Sequence, residues 1–195
     1  MASGTMSTST GASVTSVEPR VPRLVAGTLQ LRPWLGDERD VQAVLHASRD
    51  PDIQRYSSAG RVNGHVEALA WIASRQAAPR IDWAIDHSAT VVGRIGLHRV
   101  DDEDGVAEIG YWLLPEHRGK GIATQAVLAV TEWGFKDRGL GRLEIRHELL
   151  NQRSCLLASR CHFLPEGVQR GAMPRDPSAD TERVDLHVHA RLFSD

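Results

Sequence analysis

The chain has 195 residues, and its 23 Lys plus Arg against 25 Asp plus Glu leave a formal charge of −2. That length suits one domain with a core large enough to need no staples, and the near-neutral balance speaks against direct binding of nucleic acid through its phosphates. Two cysteines, Cys155 and Cys161, are too few for a disulfide framework, no apolar run reaches the ~18 residues of a membrane span, and the start lacks the basic-then-apolar order of a secretion signal, so a cytoplasmic protein apart from membranes is expected.

Ser and Thr dominate the first residues, and no aromatic interrupts them. Such a stretch buries too little apolar surface to offset the entropy of ordering it, so residues 1–22 are expected to form a disordered tail and residues 23–195 a single domain. Val25, Leu29 and Leu31 mark a strand ending at Arg32-Pro33-Trp34. Asp37 and Glu38 place negative charge at a helix start, with Val41, Val44 and Leu45 as its apolar face, and Asp50-Pro51 breaks that helix. A second helix opens at Asn63, carries Val66, Leu69, Ala70 and Ile72-Ala73, and stops before Pro79.

Three strands follow as an antiparallel meander: Ile81 to Ile85, Val91 to Leu97 after a turn at His87-Ser88, and Val106 to Leu114 after the acidic turn Asp101 to Asp104. Gly121 to Lys136 spaces Ile122, Ala126, Val127, Val130 and Trp133 as an amphipathic helix does. Leu143, Ile145 and His147 fit a short strand, Asn151 caps a further helix, and Phe163 to Val168 and Arg183 to Leu192 read as closing strands. The order predicts an α/β (α+β) fold with a mixed central sheet of about seven strands flanked by helices.

The segment from Glu108 to Thr124 carries the chemistry. A strand ends, a basic glycine-containing loop follows, and a long helix begins. The first N–H groups of a helix lack internal partners and sit at the positive end of its dipole, so the junction suits an anion. Gly119 and Gly121 allow close approach to the backbone, Arg118 and Lys120 offset charge, and a pyrophosphate is the expected guest. A Walker A loop is excluded because Gly121 follows Lys120 where Ser or Thr should stand, and a dinucleotide fingerprint because Thr124 replaces its last glycine or alanine.

Arg118-Gly119-Lys120-Gly121-Ile122-Ala123 resembles the pyrophosphate loop of the GNAT N-acetyltransferases. Leu29-x-Leu31-Arg32-Pro33-Trp34, Asp50-Pro51 with Tyr56, Glu108 to Leu113, and Asn151-x-x-Ser154 are similar to the branch that acetylates ribosomal-protein N-termini, the Rim type. The likeness runs from about Leu24 to Leu192. It departs at His162, where the branch has Gly before Phe, and at Gln125, where it has Glu.

The resemblance implies acetyl-CoA as co-substrate and no metal. Leu113 and Leu114 would offer backbone groups to the pantetheine, the loop Arg118, Gly119, Lys120, Gly121, Ile122 and Ala123 would hold the pyrophosphate, and Thr124 would add a hydroxyl. Direct attack by a neutral amine needs a base and a donor for the departing thiolate. Glu108 is the candidate base, or else a strand charge paired with an arginine. Ser154 is the candidate donor, or else a first-turn residue completing the Asn151 cap, while Asn151 both caps and contacts the pantetheine.

Cys155 as a covalent nucleophile lacks an evident activator. His187-x-His189 places two imidazoles on one strand face, but no cysteine or carboxylate partner stands at ligand spacing, so no metal is expected. His117 and His147 fit accessory proton carriers or solvated positions, and Arg142, Glu144 and Arg146 a salt-bridged strand face. The implied acceptor is a protein N-terminal amine. A small-molecule amine (antibiotic, polyamine or amino-acid derivative) stays open, as do a non-catalytic acyl-CoA-binding module and a homodimer.

Overall fold

The computed structural model describes residues 21–77, 80–175 and 182–195. Of the expected tail, all but Val21 and Pro22 lies outside that range. These two belong to the domain rather than the tail, since Val21 packs on the core and the Pro22 carbonyl accepts a 2.7 Å bond from Trp83 Nε1.

The expected first strand is a hairpin, β1 (Leu24–Ala26) and β2 (Leu29–Pro33), reversed at Gly27, whose φ of 61° lies in the left-handed region. The helix α1 (Glu38–Ala47) starts where Asp37 accepts from the Asp40 N–H. Asp50-Pro51 does more than break α1. Asp50 caps and Pro51 opens a short helix, α2 (Pro51–Tyr56), because proline fits a first turn where no N–H is needed. The helix α3 (His65–Gln76) begins two residues after the expected Asn63 and buries Ala68, Trp71 and Ile72. Val66 and Leu69, which the sequence places within this helix, are exposed on its outer side, since the buried side is the one that carries Ala68, Trp71 and Ile72.

The meander is β3 (Ile81–His87), β4 (Thr90–Asp101) and β5 (Val106–Leu113). The helix α4 (Ile122–Lys136), the strand β6 (Arg142–Glu148), the helix α5 (Gln152–Arg160) and the strands β7 (Leu164–Pro174) and β8 (Arg183–Leu192) complete the chain. The sheet has 8 strands in the order β1-β2-β3-β4-β5-β6-β8-β7, one more than expected because of the opening hairpin. Every pairing is antiparallel except β5 with β6.

Apolar side chains fill both faces of the sheet. On one, α4 and α5 cover Leu31, Trp83, Ile95, Ile109, Leu143 and Ile145. On the other, α1 and α3 pack Val44, Trp71 and Ile72 with Trp34 and Trp112. Buried charge pins that second layer. Arg32 bonds Asp40 and Asp86, each at 2.6 Å, and Asp82 takes both Arg94 and, at 3.0 Å, the Trp34 indole N–H. Among the described residues no helix is long and apolar enough to cross a membrane.

Candidate active site

The strands β5 and β6 pair only over Val106 to Glu108 against Arg142 to Glu144. Beyond Glu108 they part, and the rest of β5 borders a slot through the sheet. Antiparallel strands alternate their backbone groups between neighbours. The Leu114 N–H bonds the Val92 carbonyl on β4 at 2.9 Å, so Leu113 and Tyr111 turn theirs toward the slot. This separates the two leucines expected to meet pantetheine. Leu114 is spent inside the chain, its carbonyl accepting from His117 N–H at 3.0 Å. Leu113 keeps its N–H for a ligand while its carbonyl accepts from Arg118 Nε at 3.0 Å.

Below β5 the loop turns at Gly119 and Gly121, whose φ values of 73° and 77° are left-handed. Gly121 is the cap residue of α4, and no side chain caps the N–H groups that follow. A Cβ at Gly119 would meet nothing within 4 Å, so glycine serves conformation and leaves the cradle open. Pro115 and Arg118 close a short 3-10 turn through the Arg118 N–H, which removes that N–H from the cradle. The Arg118 guanidinium turns away as well, onto Asp50 at 2.6 Å and Asp52 at 3.2 Å. Its charge fastens the loop to α2 instead of facing an anion. Lys120 has no carboxylate partner among the described residues and keeps its charge for the loop. The cradle of Gly119, Lys120, Gly121, Ile122, Ala123 and Thr124 thus fits a pyrophosphate.

The two candidate catalytic groups lie on opposite faces of the sheet. Asn151 caps α5 by accepting from the Ser154 N–H at 3.2 Å, and buried Ser154 Oγ lies 2.5 Å from the Tyr111 hydroxyl. Ser154 therefore completes the cap through its backbone and keeps its hydroxyl for Tyr111. Tyr111 is a candidate to which the sequence assigned no role. Its parity with Ile109 and Leu113 already placed it on the helix-covered face. Burial pushes the Tyr111 hydroxyl's pKa well above its ordinary range, so it keeps its proton.

Glu108 sits at the root of the slot on the other face. One carboxylate oxygen takes His98 Nε2 at 3.1 Å and the other takes Arg146, with Arg99 at 3.7 Å. Burial raises its pKa, but the hydrogen bonds and charges of His98 and Arg146 outweigh this and hold it below the ordinary glutamate value. Glu108 is thus paired with an arginine, as Glu144 is on the strand face, where Arg142 bonds it at 2.8 Å. The acidic stretch is a turn in which Asp101 accepts from the Glu103 and Asp104 N–H groups.

Cys155 and the His187-x-His189 pair are not isolated. The structure puts Cys155 Sγ 3.8 Å from His187 Nδ1 and 3.7 Å from His189 Nε2, with His147 beside them. The cysteine partner missing from the local spacing arrives from α5. At the other end of α5, His162 holds φ 64°, the left-handed position where the related branch has glycine.

The description "Acetyltransferase (GNAT) domain" matches residues 28–164, and the chain belongs to the GNAT acetyltransferase family. It is an acetyl-CoA-dependent N-acetyltransferase. An uncharacterised N-acetyltransferase of Bacillus licheniformis is 29% identical over 137 residues, 67% of this chain and 77% of the relative. The ribosomal-protein-serine acetyltransferase of Escherichia coli is 31% identical over 103 residues, 53% of this chain and 55% of the relative. A solved RimL ribosomal-protein α-N-acetyltransferase in complex with coenzyme A superimposes with a TM-score of 0.76 at 22% identity, over 88% of this chain and 98% of that one.

Proposed function

We propose that the acceptor is the α-amine of a protein N-terminus of the ribosomal-protein kind, acetylated in the cytoplasm. The observation that carries this reading is the state of Glu108. Both its oxygens are engaged, one by His98 Nε2 and the other by the Arg146 guanidinium, which makes it a weak proton acceptor. An α-amine titrates at about 7.7–8.0, whereas an alkyl ammonium such as that of lysine titrates at about 10.4. A weak base serves the first and is poorly matched to the second or to a polyamine. The partial likeness to the Escherichia coli ribosomal-protein-serine enzyme points the same way, and two free thiols suit a reducing compartment.

Acetyl-CoA supplies the thioester that the amine attacks. Lys120 and the N–H groups from Gly119 to Thr124 hold its pyrophosphate, and the Leu113 N–H aligns the pantetheine along the slot as an added strand would lie. Glu108 orients the ammonium and takes its proton through water. From the opposite face, the Ser154 hydroxyl, oriented by Tyr111, hydrogen-bonds the departing sulfur, which takes its proton from solvent.

Free thiol released from acetyl-CoA tests this across peptides copying ribosomal-protein N-termini, polyamines and aminoglycosides. Turnover confined to the peptides is expected. Turnover on a small amine, with the peptides silent, would overturn the acceptor assignment.

A further inference from the structure

Outside the acetyl-transfer machinery, three imidazoles and a thiol converge. The antiparallel pairing of β6 with β8 sets His147 directly opposite His187, and His189 opposite Ile145 on the same face. Cys155, in the first turn of α5, covers that face. The candidate ligand atoms of His147, Cys155, His187 and His189 all lie within 4.8 Å of one another.

The spacing matches one coordination geometry. With Zn–N near 2.0–2.1 Å and Zn–S near 2.3 Å, the corners of a tetrahedron stand about 3.4–3.6 Å apart. The Sγ-to-imidazole distances of 3.7 and 3.8 Å come close to that before any ion draws the groups inward.

A separate observation concerns His147, which is only 6% exposed. Its Nδ1 lies 2.8 Å from the Glu148 carbonyl oxygen. A carbonyl only accepts, so Nδ1 carries the hydrogen and Nε2 holds a bare lone pair. That Nε2 is buried without a hydrogen-bond partner, a state that costs about 1–3 kcal/mol if nothing satisfies it. A backbone carbonyl fixing one nitrogen so that the other can ligate is the usual support of a metal-bound histidine.

We propose that His147, Cys155, His187 and His189 form a tetrahedral site for a divalent transition metal, Zn²⁺ being the ion that three imidazoles and a thiolate select. Four protein ligands leave no open position, so the role is structural. The ion ties the first turn of α5 to β6 and β8. On ligation the Cys155 thiol releases its proton to solvent and its sulfur lone pair forms the metal bond. The site does not depend on which amine is acetylated.

The test uses the full chain, stripped with EDTA, desalted and titrated with Co²⁺. One equivalent is expected to bind, with the visible bands of tetrahedral Co²⁺ and an ultraviolet thiolate-to-cobalt band, and Zn²⁺ should displace it. Cys155→Ser should abolish the thiolate band, and His187→Gln should weaken binding by more than the ~10–100-fold that loss of an outer partner already causes. Both side chains are only half-buried, and circular dichroism checks that the variants fold.

Alkylation of the unmodified protein needs no variant. One equivalent of Zn²⁺ should slow modification of Cys155, located by mass spectrometry. Absence of saturable binding at one equivalent, binding indifferent to both substitutions, or an unchanged alkylation rate would each overturn the site.

Discussion

Glu108 and Ser154 face each other across the sheet, and substitution separates their contributions. Ser154→Ala and Tyr111→Phe should each lower kcat, Ser154→Ala by about 100-fold or more, with coenzyme A affinity measured by calorimetry unchanged. Equal losses in affinity would assign the pair to binding instead. Glu108→Gln should lower kcat/KM for a peptide acceptor and leave coenzyme A affinity intact. The same carboxylate sets a pH dependence. Its folded pKa lies below the ordinary 4.5, so its stabilisation is complete above that pH and disappears as pH falls through the folded value. Thermal melts of the wild type should therefore lose stability below pH 4.5 more steeply than those of Glu108→Gln, and parallel curves would remove Glu108 as the source. The sequence could place Glu108 on its strand. It could not show that His98 and Arg146 would close on it, because His98 comes from β4 and Arg146 from β6, beyond a fifteen-residue helix.

Helix termini carry the next set of consequences. Gly121 heads α4 with φ 77°. Gly121→Asp puts a carboxylate where the anion belongs, and Gly121→Asn, equally strained at this left-handed φ but uncharged, is its control. Coenzyme A affinity should fall by at least about 100-fold, the loss of roughly one charge-assisted contact plus repulsion, with the helical dichroism unchanged. At the end of α5, His162 adopts the left-handed conformation that its exposed imidazole does nothing visible to repay. His162→Gly should stabilise the fold by about 1 kcal/mol, raising Tm by roughly 2–4 °C. No rise would mean that the side chain contributes as much as the strained backbone costs. The departure from Gly-Phe at this turn was visible in the sequence, and the structure puts His162 at a left-handed φ that glycine would adopt without strain. The rotation of α3 was less legible, since Val66, Leu69 and Ile72 have helical spacing and only tertiary packing shows that Ala68 and Trp71 share the buried side with Ile72.

Across the molecule, the meander from β3 to β5 and the helix after it follow from local pattern, whereas the eighth strand and the pairing of β6 with β8 do not. Gly27 hides a reversal inside what reads as one strand, and β8 reaches β6 only after α5 and β7 have intervened. That long-range pairing is also what assembles the histidines from residues 147, 187 and 189. On the other face, Arg32 with Asp40 and Asp86 fastens the α1 layer to the sheet. Asp40→Ala should cost about 3–5 kcal/mol by stranding a buried guanidinium, read by urea denaturation, and a loss below 1 kcal/mol would show that Asp86 suffices.

The slot divides the sheet into two leaves, β1 to β5 and β6 to β8, whose backbones are joined among the described residues only at Val106 to Glu108 and by the Gly105 carbonyl's bonds to the Gly141 and Arg142 N–H groups. A seam that narrow leaves much of the edge of β5 beyond Glu108 without a ladder partner on β6. Within the first leaf β3, β4 and β5 join through short turns, while β6 and β8 meet only across the intervening α5 and β7. Amide protons of β6 and β8 should exchange with solvent sooner than those of β3 and β4, and a ligand lying along the slot should slow both by bridging the leaves.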